Sequence, residues 1–233
     1  MPQTAPIDWR QSPRDHGRTQ ALFPSELGWM CCRWEADLLS HFTFGHRSAR
    51  QARQTALSSL GPDGPKATVT APQVPATQAR DVEPGLDRPL GGPFEPLQPY
   101  EPTEEQESLV RRLLDFAAGT VDNFRDIRLS LDGMTPFQKR VVACCRRVGW
   151  GDVVSYGDLA RRAGRPGAAR AVGTIMARNR FPLIVPCHRV VGSQGELGGF
   201  SAPEGTRMKV RLLDREGSLP SRAKPERKRR KPR

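Results

Sequence analysis

Pro186-Cys187-His188-Arg189-Val190 is the stretch of this 233-residue sequence in which neighbouring side chains can do chemistry together. A thiol becomes a strong nucleophile when it ionises, and an adjacent imidazole or a local positive field can lower its pKa. Neighbours on a strand point to opposite faces, so direct partnership of Cys187 with His188 requires a turn, which Pro186 can supply. Glu216, at the end of the last helical pattern, is the candidate carboxylate to orient the imidazole. The plainer alternative is a buried cysteine beside a structural histidine. A cysteine hydrolase would need a distant histidine, and His16, His41 and His46 lie in weakly structured or N-terminal parts.

Two short helical patterns precede this stretch. Ser155-Tyr156-Gly157-Asp158 starts one that runs through Ala163, Gly164-Arg165-Pro166-Gly167 breaks it, and residues 168–177 form the next, a helix-turn-helix pattern. Arg161, Arg162, Arg165, Arg170, Arg178 and Arg180 crowd the region, where phosphate contacts would release counterions. Gly167, Ala168, Ala169, Ala171 and Gly173 carry nothing that reaches a base edge, and Asn179 lies at the helix end. Such a helix approaches nucleic acid closely without reading its sequence. Arg170 projects from it, either to fill the space of a displaced base or to pair with a phosphate. A helical hairpin in an ordinary core is the structural alternative.

Charge favours the nucleic-acid reading. The formal net charge is +12; residues 1–132 hold 14 basic and 18 acidic side chains, residues 133–217 hold 15 and 6, and residues 218–233 hold 8 and 1. The positive excess lies in the C-terminal part, and a polyanionic partner is expected. No apolar run reaches the roughly 18 residues of a membrane span, and residues 1–20 lack the apolar block of a signal peptide, so a soluble intracellular protein is expected. Five cysteines, with two adjacent pairs and no C-x-x-C, suggest neither a disulfide framework nor a zinc cage. Cys31, Cys32, Cys144 and Cys145 are expected to be structural.

The remaining elements must position these groups. Residues 1–22 read as a flexible arm, and residues 28–34 and 38–44 as a strand hairpin broken by Glu35-Ala36-Asp37. Ser48 can cap a helix running to about Leu60. Residues 61–103 are rich in Pro and Gly and read as a disordered insertion. Thr103-Glu104-Glu105-Gln106 is a capping box for a helix closed by Gly119, and Ile127-Arg128-Leu129-Ser130-Leu131 alternates like a short strand. Thr135-Pro136-Phe137-Gln138 is a second capping box, whose helix buries Val141, Val142, Cys145 and Val148 and stops at Gly149; residues 206–215 form a last helix, stopped by Gly217. The fold expected is α+β: a small N-terminal α/β domain with antiparallel strands over 23–132, interrupted by the insertion, then a mostly helical domain with a helix-turn-helix over 133–217 and a basic tail over 218–233.

The block from 135 to 217 resembles the C-terminal domain of the O6-alkylguanine-DNA alkyltransferases (methylated-DNA-protein-cysteine methyltransferases). The resemblance rests on Thr135-Pro136-Phe137-Gln138, Gly151-Asp152-Val153-Val154-Ser155-Tyr156, Ala168-Ala169-Arg170-Ala171-Val172-Gly173, Asn179, Ile184-Val185-Pro186-Cys187-His188-Arg189-Val190 and Leu212-Leu213-Asp214-Arg215-Glu216-Gly217. It implies irreversible transfer of the alkyl group from O6-alkylguanine, and from O4-alkylthymine, in duplex DNA to Cys187, a single-turnover reaction without cofactor or metal. By the same resemblance His188 takes the thiol proton through a water, Glu216 orients His188, Tyr156 donates to the departing purine and crowds the phosphate, and Asn179 braces the active-site turn. Arg170 replaces the extruded base, while Ala168, Ala169, Ala171, Gly173 and Arg165 lie along the DNA. Pro186, Val190, Phe200 and Ser201 line the pocket, the backbone of Cys187 and Val190 holding the guanine edge and Ser201 facing O6. The implied partner is double-stranded DNA bound by a monomer without sequence preference, in the nucleoid-containing cytoplasm of a bacterium or the nucleus of a eukaryote, with no membrane involved. The alternative is a lesion sensor or helix-turn-helix regulator that binds DNA without chemistry. The segment between Phe200 and Lys209 is longer than the family's Gly-Gly turn, and residues 61–103 and the tail have no counterpart.

Overall fold

The structure is a computed structural model and describes residues 6–11, 17–58 and 98–220. Most of the expected insertion, residues 61–97, and the basic run 224–233 lie outside the described residues. In chain order the elements are β1 (Asp8–Gln11), β2 (Arg18–Phe23), β3 (Trp29–Glu35), β4 (Leu38–His46), α1 (Ala49–Ser58), β5 (Gln98–Pro99), α2 (Glu104–Ala118), α3 (Pro136–Arg146), β6 (Val154–Ser155), α4 (Tyr156–Arg162), α5 (Ala169–Ala177), β7 (Val190–Val191) and α6 (Thr206–Arg215). A single 3-10 turn, Cys187–Arg189, precedes β7.

Five strands form an antiparallel sheet in the order β4-β3-β2-β1-β5. The β3–β4 hairpin is the expected one. Within the expected arm the described residues form β1 and most of β2, and β2 is the central strand, pairing Ala21 with Cys32 and Phe23 with Met30. Five of its six residues are buried because both faces are covered. Leu22 packs with Cys31 and with Ala52 and Ala56 of α1, whereas Ala21 and Phe23 join the main core. The 98–103 end of the expected insertion is also structured, β5 pairing with β1 through Arg10 opposite Pro99. Residues 127–131 do not form a strand. They contribute one parallel bridge, Leu39 N–H donating to the Arg128 carbonyl (3.0 Å) and Ser130 N–H to that of Leu39 (2.8 Å), before the chain turns away at Gly133 (φ +75°).

The helices begin where local chemistry directs. Thr103 and Thr135 close complete capping boxes with Gln106 and Gln138, Pro136 stands where its missing N–H is harmless, and Ser155 accepts from Asp158 N–H at the head of α4. Gln106 serves twice, its buried amide also donating to Thr19 Oγ1 (3.1 Å) and tying α2 to the sheet. Gly119 (φ +113°) ends α2 in the left-handed conformation that glycine adopts without strain.

One apolar cluster runs through both halves, from Ala21, Phe42 and Phe44 through Leu113 and Phe116 to Val141, Val172, Ile184 and Leu212. Phe116 meets Trp150 edge-on (5.6 Å), and Phe44 meets Phe200 (6.4 Å). Phe42 N–H donates to the Arg180 carbonyl (2.8 Å), and the Arg180 guanidinium reaches the carbonyls of Ser130 and Asp132. The sheet is therefore a buttress against the back of the segment that carries Cys187. All five cysteines are free; Cys31, Cys32, Cys145 and Cys187 are buried and Cys144 is partly exposed.

Candidate active site

The Cys187–Arg189 turn is held from three sides. Val185 N–H bonds the Phe181 carbonyl and Cys187 N–H that of Val185, each at 2.7 Å, and Leu183 adopts a positive φ of 69° in this bend. Asn179, just beyond α5, donates from Nδ2 to the Val185 carbonyl (2.8 Å) and to Cys187 Sγ (3.1 Å), while its Oδ1 accepts from Phe181 N–H (3.0 Å). On the outgoing side β7 pairs in parallel with β6, Val190 with Val154 and Val191 with Ser155. That pairing fixes Tyr156, the first residue of α4, beside the turn.

Cys187 is 4% exposed and His188 fully buried. His188 Nε2 lies 3.0 Å from Glu216 Oε1, and its Nδ1 has no hydrogen-bonding partner among the described residues. Arg189, also buried, makes a two-pronged contact with Glu216: Nε to Oε2 and Nη2 to Oε1, both 2.9 Å, with Nη1 on the Val148 carbonyl (2.8 Å). Trp150 lies beneath this guanidinium at 6.0 Å. Burial alone would raise the Glu216 pKa, but the hydrogen bonds from His188 and Arg189 outweigh it and hold the carboxyl below its ordinary value. Burial lowers the pKa of His188, opposed by Glu216, so the neutral imidazole is favoured.

The thiol departs from expectation. Rather than lowering the pKa of Cys187, its surroundings raise it above the ordinary thiol value because burial dominates, offset in part by the Asn179 hydrogen bond and the charge of Lys209. The resting sulfur is a protonated thiol whose proton must leave during reaction. Burial also raises the Tyr156 pKa, keeping the phenol protonated. A Cβ at Gly198 would lie 3.1 Å from Tyr156 Oη, so the ring stands against the 197–199 loop.

The outer face differs in kind. Gly164 (φ +78°) and Gly167 (φ +85°) make the turn between α4 and α5. Arg170 and Ala171 are exposed, Ala168, Ala169 and Gly173 partly so, and Gly173 has open space around it. Arg165 is exposed, its guanidinium 4.9 Å from the centre of the Phe137 ring. Of the expected pocket residues, Pro186 and Val190 are buried on either side of the Cys187–Arg189 turn, Phe200 leans on Phe44, and Ser201 is exposed. The Val190 carbonyl already accepts from Lys209 Nζ (2.7 Å), leaving its second lone pair. Among the described residues no group of three or more His, Cys, Asp and Glu side chains is placed to hold a metal ion.

The structure thus gathers Cys187, His188, Glu216, Asn179 and Tyr156 into one interior cluster and leaves Arg170 on the surface. Arg189 and Lys209 belong to the cluster without having been assigned roles from sequence. Lys209 did carry a signal, a cation among Met208, Leu212 and Leu213 on the apolar side of a helical pattern. Arg189 carried none beyond its place in the motif.

Residues 136–218 match the family described as 6-O-methylguanine DNA methyltransferase, DNA binding domain. The methylated-DNA--protein-cysteine methyltransferase of Salmonella typhimurium is 42% identical over 108 residues, 46% of this chain and 61% of that protein. The chain thus spans about three fifths of that relative's length. The protein of the same name from Mycolicibacterium paratuberculosis is 37% identical over 129 residues, 52% of this chain and 77% of that protein. Among solved structures, Mycobacterium tuberculosis OGT in complex with DNA superposes with a TM-score of 0.54 at 27% identity, over 86% of this chain and 94% of that one. The O6-methylguanine-DNA methyltransferase of Pyrococcus kodakaraensis, at 24% identity, shares the fold with a TM-score of 0.53 over 91% and 98% of the two chains. With these relatives and this fold, the chain belongs to the methylated-DNA--protein-cysteine methyltransferase family.

Proposed function

We propose that the protein repairs DNA by transferring the alkyl group of O6-alkylguanine, and of O4-alkylthymine, irreversibly to Cys187 Sγ. The observation that carries this reading is a hydrogen-bonded thiol next in chain to a buried His188 that is bonded to Glu216 and whose other imidazole nitrogen has no partner among the described residues. Neutral His188 accepts the Cys187 proton at Nδ1 through a water, and Glu216, already anionic, stabilises the imidazolium that forms. The thiolate attacks the alkyl carbon; a C–S bond forms as the C–O6 bond breaks, and the pair of electrons leaves on the purine oxygen. Tyr156, protonated at rest, gives its proton to the departing guanine, which leaves as the neutral base, and the proton that His188 took from Cys187 returns through water to the phenolate. No electrons are exchanged, and the reaction needs only the protein's own groups. A thioether has no easy exit, so each molecule reacts once.

The buried thiol reaches a base only after the base leaves the stack, and flipping costs a few kcal/mol. Arg170, exposed on α5, fills the space left behind, while the Ala/Gly surface around it permits close contact with any sequence. The basic run 224–233 adds sequence-independent attraction to phosphates. The protein acts as a monomer wherever the chromosome is, nucleoid or nucleus; among the described residues no helix is long and apolar enough to cross a membrane.

Mixing the protein with a duplex carrying one O6-methylguanine and weighing the Cys187 peptide tests the reading. A gain of one methyl group on Cys187, lost in Cys187→Ala, is expected. An unmodified peptide with DNA still bound would instead make the protein a lesion sensor.

A further inference from the structure

Lys209 is fully buried on α6, where an ammonium is costly without an anion. Its Nζ donates to the Val190 carbonyl (2.7 Å) and to that of Leu197. Both acceptors are neutral, and no carboxylate pairs with it among the described residues. The two carbonyls belong to the segments that enclose Cys187: Val190 follows the catalytic turn, and Leu197 opens the loop that faces Tyr156 and continues to Phe200. We propose that Lys209 is a positioning residue for alkyl transfer, clamping the 197–200 loop to the catalytic turn and holding a positive charge whose counter-ion is the Cys187 thiolate formed during reaction. The inference rests on the alkyl-transfer reading of Cys187.

The surroundings fit a charge waiting for its partner. Burial brings the Lys209 pKa down to about 8, and the ionisable group that opposes this fall is Cys187. The sulfur also faces Asn179 beyond α5, while Tyr156 on α4 and Cys145 on α3 sense its charge; His188 senses Lys209 in turn. Proton transfer from Cys187 to His188 places an anion within the electrostatic reach of an ammonium already fixed by two carbonyls, so little reorganisation is needed as charge develops.

The test is carbamidomethylation of Cys187 by iodoacetamide in the full chain, read peptide by peptide by mass spectrometry across about pH 6 to 10. Lys209→Met and Lys209→Gln should each slow the Cys187 reaction about tenfold near neutral pH and move its pH profile upward, an effect of the size an adjacent opposite charge exerts. Lys209→Arg should keep the parent profile, and Cys144 in the same samples should not change. Circular dichroism establishes which variants fold, and Gln, which keeps a donor to the carbonyls but no charge, separates charge from clamp. Profiles of folded Met or Gln variants that overlay the parent overturn the proposal. Because iodoacetamide requires no DNA, failure of the unaltered protein to accept methyl groups would count against the proposed function and leave this result standing.

Discussion

Two regions, one interior and one exposed, do opposite things with charge. At Cys187–Arg189 the cations Arg189 and Lys209 are buried, bonded to Glu216 or to carbonyls, and fixed in place. On the outside of α4 and α5, Arg161, Arg162, Arg165, Arg170 and Arg178 are exposed among glycine and alanine. The interior arrangement discriminates between protonation states, because low polarisability magnifies each charge. The surface one attracts any polyanion and distinguishes little, because water and salt screen it. Under the proposed alkyl transfer, recognition of a lesion falls to the pocket, after the base has left the duplex.

This contrast can be broken most forcefully at Glu216. Glu216→Gln leaves Arg189 buried without its anion, and removing one partner of a buried pair costs about 3–5 kcal/mol. The expected result is a large fall in melting temperature together with loss of methyl transfer; unchanged stability would show that the pair is not what anchors the interior. Arg170→Ala should act only outside. Transfer from a duplex is expected to slow by about 2 kcal/mol of flipping free energy, roughly thirtyfold, with melting temperature and reaction with free O6-benzylguanine unchanged. Equal losses with both substrates would remove Arg170 from flipping. Acidification sharpens the comparison more gently. Burial holds the folded-state pKa of His188 below its unfolded value of about 6.5, so the unfolded chain takes up the proton first. The stability that neutral His188 contributes is present above that value and is lost as pH falls from it through the lower folded pKa. Transfer should slow in the same direction, no more steeply than about tenfold per pH unit for one proton. A rate that stays flat as pH is lowered through the folded-state titration of His188, followed in parallel by NMR, would exclude His188 as the proton acceptor.

What the sequence disclosed follows the reach of each interaction. Thr103 with Gln106, Thr135 with Gln138 and Ser155 with Asp158 act within one helical turn, so their helices could be read directly. The central strand β2 could not: its partners sit on β1 and β3, and burial on both faces removes the alternation that marks a half-exposed strand. Residues 127–131 do alternate, yet they find only Leu39 to pair with. At the site, residue types and spacing singled out Cys187, His188 and Glu216, the resemblance supplied the roles of Asn179 and Tyr156, and the geometry draws the five together. The Arg189–Glu216 bonds and the Lys209 clamp span long stretches of chain, and the one local sign, a lysine on the apolar side of α6, does not tell what it bonds. The acid shift expected of the thiol failed for a related reason. Neighbouring residues suggest which charges are present, but only packing reveals how far water has been excluded.

Trp150, Phe200 and Arg180 lie within the stretch that matches the family's DNA-binding domain, and each leans on something before it: Phe116, Phe44 and the Phe42 amide. That stretch is therefore packed against what precedes it at three points. Cut free at residue 136, it would present two aromatic faces and an unanswered carbonyl to water, beneath the segment that carries the nucleophile. The N-terminal sheet, which offers the reaction no chemical group of its own, acts as its foundation, and substitutions at Phe44 or Phe116 would reach the pocket without touching it.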